Sequence, residues 1–116
     1  MKDLPDFVPR PYDQVKAFAE DVLTNHITPD ESQLVVLWRF DDHSFRAVFE
    51  KDYFGTETPT KSQWNSLKKK LKRVDRNVFV FKEHGEIDLD TREAPTDDTS
   101  PDDICYFLDF GFLAPR

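Results

Sequence analysis

The stretch Asn77 to Asp103, NVFVFKEHGEIDLDTREAPTDDTSPDD, decides the fold. Asn77–Lys82 is dense in β-branched and aromatic residues, and Glu86–Thr91 alternates polar and apolar with Ile87 and Leu89 on one face; both read as strands. Glu83-His84-Gly85 between them suits a tight turn with Gly85 at positive φ, so a hairpin is expected. Residues 92–103 hold two prolines and no apolar periodicity, which makes them a loop longer than most such connections. Ile104–Phe110, ICYFLDF, is then a last strand, apolar enough to run inside a sheet.

Upstream, Thr60 is a good helix N-cap with Gln63 at capping-box spacing, and Trp64, Leu67, Leu71 and Val74 mark a buried helical stripe. Lys68, Lys69, Lys70, Lys72 and Arg73 crowd the last turns, where cations complement the negative end of the helix dipole by about 0.3–1 kcal/mol each. Before that helix, Gln33–Phe40 and Phe45–Tyr53 read as a hairpin about the polar turn Asp41-Asp42-His43-Ser44. Leu34–Trp38 is apolar on both faces, so this strand is expected inside the sheet, under a helix. A first helix starts near Pro11, with Val15, Phe18, Ala19, Val22 and Leu23 on one stripe, and ends around Asn25 or His26. The lead-in holds Pro5, Pro9 and Pro11, which oppose helix, and Phe7 or Val8 can pin it to the core. The element order is α-β-β-α-β-β-β. The expected class is α+β: a mostly antiparallel sheet of about five strands with two helices on one face, forming a single domain over residues 1–116.

Composition narrows function mainly by exclusion. The 116 residues, 14% of them aromatic, supply enough bulk for one core. There is no uninterrupted apolar leader segment and no apolar run near twenty residues, so a cytoplasmic protein away from membranes is expected. Cys105 is the only cysteine and reads as a small buried hydrophobe. His26, His43 and His84 lack zinc-pair spacing, and three glycines are too few for a phosphate-cradling loop or a dinucleotide fingerprint. No residue pattern specifies a cofactor or a catalytic group. A formal net charge of −7 disfavours direct nucleic-acid binding, despite the basic run LKKKLKR.

The charge distribution is bipolar. Residues 61–82 carry eight cations against Asp75, whereas residues 83–103 carry nine carboxylates against Arg92. Those carboxylates, Glu83, Glu86, Asp88, Asp90, Glu93, Asp97, Asp98, Asp102 and Asp103, are the candidate partner-binding residues. If Ile87 and Leu89 point inward, Glu86, Asp88 and Asp90 form an outward row about 7 Å apart, within about a factor of two of the phosphate spacing of one DNA strand. Asp88-x-Asp90 lacks the glycine and glutamate of a calcium loop.

In length, acidity and this carboxylate row the chain resembles the small acidic DNA-mimic proteins of bacteria and phages, among them a neisserial type that engages the histone-like protein HU. The resemblance implies a non-enzymatic protein that competes with DNA for a basic DNA-binding partner, and a monomer is expected. Two other readings stay open: a small metal-dependent enzyme using the same carboxylates, and an assembly protein pairing its basic helix with the acidic edge of another copy.

Overall fold

The computed structural model describes residues 6–24, 32–55 and 58–114, with only the backbone of His84. The elements are α1 (Tyr12–Val22), β1 (Leu34–Arg39), β2 (Ser44–Phe49), a 3₁₀ turn (Lys51–Phe54), α2 (Lys61–Val74), β3 (Val78–Asp88), a short 3₁₀ turn (Pro101–Asp103) and β4 (Ile104–Phe112). The strands form an antiparallel sheet in the order β1-β2-β4-β3, and the fold is α+β as expected.

Both helices lie on one face of the sheet. Val15, Ala19, Val22 and Leu23 of the first helical segment and Trp64, Leu67 and Leu71 of α2 close over Leu37, Phe45, Phe49, Tyr106, Leu108, Phe110 and Phe112. Burying each large side chain contributes roughly 1.5–3 kcal/mol. The aromatic residues come at every second strand position, so they share that face. The capping box starts α2 as its sequence predicts: the Gln63 N–H donates to the Thr60 hydroxyl and the Thr60 N–H donates to Gln63 Oε1. The lead-in is pinned as expected, by the Val8 N–H on the Phe112 carbonyl at 2.8 Å and a bridge between Phe7 and Leu113.

β4 is central and buried along nearly its whole length, as its composition implies. β3 departs from the expectation. The segments read as separate strands pair with β4 end to end, Val78–Val80 against Phe110–Phe112 and Gly85–Asp88 against Ile104–Phe107. Register shifts about Lys82 join them where a hairpin turn is expected. Gly85 is needed for space, because a Cβ there would run into the Phe107 ring lying over it. Positive φ occurs instead at Gly55 and Arg92 among the described residues.

Other local expectations also give way to packing. β1 is an edge strand, and its doubly apolar character arises because Leu37 faces the helices while Val36 and Trp38 join a second cluster with Val48, Ile87, Cys105, Phe107 and Leu89 on the far face. The expected strand ends at Phe49, and Lys51–Tyr53 pass with Phe54 into a 3₁₀ turn that stacks Tyr53 near Phe49 and Phe54 near Trp64. Val74 is 46% exposed because α2 ends beyond the sheet contact made by Leu71. α1 stops at Val22, where Thr24 bridges to Ser32; Asn25 and His26 lie outside the described residues.

The far face carries a buried ion pair. Trp38, Arg46, Asp109 and Lys82 stand opposite one another across the four strands. Arg46 forks onto Asp109 at 2.8 and 3.0 Å and lies over the Phe107 ring. Such a bidentate pair satisfies a carboxylate that would otherwise be costly to bury.

Candidate functional site: the acidic cap

Residues 89–103 connect β3 to its neighbour β4 and fold into a structured cap through their own polar groups. Asp88 closes it. Its Oδ1 accepts the Asp90 N–H at 2.8 Å, its Oδ2 accepts the Thr99 hydroxyl at 3.0 Å, and its backbone bonds to Glu93 and Arg92. Thr96 and Thr99 bond each other's backbone N–H groups, while Leu89 N–H donates to the Asp103 carbonyl at 3.0 Å. Short hydroxyl and carboxylate side chains do this readily because they reach the backbone two or three residues on.

Arg92 docks the cap on the far sheet face. Its guanidinium lies 4.9 Å from the Trp38 ring centroid, and its backbone is held at φ 62°. A non-glycine residue in that region costs about 1–3 kcal/mol and persists only when its surroundings enforce it. Here the Arg92 N–H donates to the Asp88 carbonyl at 2.8 Å, and the ring contact opposes the strain.

The carboxylates therefore separate into three groups. Glu83 belongs to the body, its carboxylate paired with Lys68 of α2 at 3.0 Å. Asp88 is 8% exposed and faces inward, so Glu86, Asp88 and Asp90 do not form the alternating outward row. The cause is local, since the strand ends at Asp88 and its carboxylate is consumed in building the turn. Glu86, Asp90, Glu93, Asp97, Asp98 and Asp102 are exposed, and among the described residues none has a cation within ion-pair distance. Asp103 lies beside them, its carboxyl raised above the usual range chiefly by the Asp90 carboxylate, with burial and Asp88 and Asp102 adding to it.

The basic last turns of α2 do not cancel this charge. α2 ends three residues before β3 begins, whereas the cap follows the end of β3. At about 3.3 Å per residue the eleven residues of β3 separate the two ends by about 30 Å, several Debye lengths at physiological ionic strength. Lys68, midway along, is spent on Glu83.

Among the described residues no three His, Cys, Asp or Glu side chains converge to hold a metal ion. His43 is exposed in the turn before β2, with its ring nitrogen 3.7 Å from Asp41; His26 and the His84 side chain lie outside the described residues. Cys105 is buried, and burial pushes its thiol up to about 11, which suits an inert core residue. No helix is long and apolar enough to cross a membrane among the described residues.

Fold and site together define an α+β protein with an ordered acidic cap at one end of its sheet and the basic last turns of α2 toward the other. No protein-family model, curated protein or solved structure matches the chain.

Proposed function

We propose that the chain is a non-catalytic binding protein whose acidic cap docks on the cationic surface of a DNA-binding protein, in the place of DNA phosphates. The observation that carries this is the set of five exposed carboxylates, Asp90, Glu93, Asp97, Asp98 and Asp102, on a loop fixed by its own hydrogen bonds, with Glu86 exposed on the adjoining strand, all without ion-pair partners among the described residues. An ordered array loses little conformational freedom on docking, and like charges held together attract a cationic surface more strongly than dispersed ones. In this reading the contact surface is the cap, and Glu83 and Asp88 support it. A histone-like protein is the partner class with the required basic surface, and a monomer acting in a bacterial cytoplasm fits that partner.

The test is competition. A labelled DNA duplex bound to a purified histone-like protein is titrated with the chain and with an Asp97→Asn/Asp98→Asn/Asp102→Asn variant, at low and at raised salt. Displacement should weaken at least about tenfold in the variant and fall steeply with salt. Equal displacement by both proteins, or displacement indifferent to salt, overturns the proposal.

A further inference from the structure

A cleft of about 450 Å³ opens beside α2, on the flank opposite Lys68 and its contact with β3. That volume lies within the range of small-molecule sites, roughly 300–1,000 Å³. Tyr53 and Phe54 wall one end, and Ser62, Ser66, Lys70 and Arg73 follow one another along the helix at i, i+4, i+8 and i+11. At 100° per residue these four fall on one stripe adjoining the buried one.

The aromatic wall is fixed. The Gln63 amide, already accepting from the Thr60 N–H at 2.7 Å, donates to the Phe54 carbonyl at 3.2 Å. Phe54 packs on Trp64 with ring centroids 5.0 Å apart. The cations at the other end are uncommitted. Lys68 and Arg10 spend their charge on Glu83 and Asp75, but Lys70 and Arg73 have no ion pair among the described residues. Lys70 is half-buried, and that burial lowers its ammonium below the ordinary range while Asp21 of α1 acts in the opposite sense. An anion at this end would offset the lost hydration. The Ser62 and Ser66 hydroxyls lie between the two ends, also without partners among the described residues.

These features select one ligand chemistry. An arginine fork beside a lysine suits a phosphate, which presents several acceptor oxygens and more than one charge. The aromatic wall suits a flat body. From Gln63, which holds Phe54, to Lys70 the helix rises about 10 Å, so a ligand touching both ends must be extended. We propose that this cleft binds a phosphate monoester bearing a planar aromatic body, of the nucleoside monophosphate class, with the phosphate at Lys70 and Arg73 and the body against Tyr53 and Phe54. The site is separate from the acidic cap, and either can fail without the other.

The experiment is an amide-resolved NMR titration with adenosine monophosphate, repeated with adenosine and with inorganic phosphate. Two double variants change net charge equally: Lys70→Gln/Arg73→Gln inside the cleft, and Lys69→Gln/Lys72→Gln on exposed positions outside its lining. Expected are saturable shifts at Ser66, Lys70 and Arg73, and affinity at least about tenfold lower for each half-ligand and for the cleft variant. The outer variant should change affinity by about twofold at most, and thermal unfolding checks that both variants fold. Absence of saturation at about 10 mM, equal weakening in the two variants, or phosphate matching the nucleotide overturns the assignment.

Discussion

Asp88→Ala separates a carboxylate that builds the cap from those that decorate it. The substitution removes two charge-assisted hydrogen bonds, from the Asp90 N–H at 2.8 Å and from the Thr99 hydroxyl at 3.0 Å. Bonds to charged groups contribute about 1.5–3 kcal/mol when buried. Asp90 is exposed and its freed N–H can turn to water, which halves that loss, whereas Thr99 is half-buried and gives up most of it. The expected cost is about 2–4 kcal/mol, or a fall in Tm of about 8–20 °C for a chain of this size. Asp88→Asn keeps one acceptor oxygen and a similar shape, and should cost about 1 kcal/mol. Urea denaturation of both variants, with Asp97→Asn/Asp98→Asn as a surface control within about 0.5 kcal/mol of the parent, measures the difference. If Asp88→Ala costs no more than that control, Asp88 is a surface charge after all and the inward assignment is wrong.

Three further outcomes follow from the same geometry. Arg46→Met leaves Asp109 buried without its fork and should cost about 3 kcal/mol, Lys82 opposite it limiting the loss, while Arg46→Met/Asp109→Leu should regain most of it in the same urea assay. Gly85→Ala drives a methyl into the Phe107 ring; a loss of about 1–3 kcal/mol, largely relieved by adding Phe107→Leu, is expected in a double-mutant cycle. Asp103 has a folded pKa above its ordinary 3.8, so the folded chain holds that proton more tightly than the unfolded one. Its contribution is therefore most favourable below 3.8 and is lost as pH rises through the raised value. Asp103→Asn should be at least as stable as the parent at neutral pH, and any advantage should disappear in thermal melts below about pH 3.8.

Features governed by contacts near in the chain were legible in the residues. The Thr60–Gln63 capping box, the stripe Trp64, Leu67 and Leu71, and the apolar run of β4 each depend on spacing alone. The cap was half legible. Its exposed carboxylates follow from composition, but alternation across Glu86–Asp90 pointed Asp88 outward. The competing signal was present, since aspartate two residues before a backbone N–H is a turn former. The cleft had a signal as well, in the unbroken line Ser62, Ser66, Lys70 and Arg73 beside the buried stripe.

By itself, then, the sequence determined the α+β class, the order of the elements up to the start of β3 and the existence of two oppositely charged segments, because periodicity, caps and charge are properties of the chain. Only tertiary structure decided where those segments stand. β4 pairs with both halves of β3, so Glu83–Gly85 continues the strand through a register shift and places cap and basic helix end at opposite ends of it. Phe107 over Gly85, Arg92 on Trp38 and Glu83 on Lys68 are contacts between distant residues. Pairing partners chosen that far along the chain leave no periodicity to read, and they set the acidic cap apart from the basic end of α2.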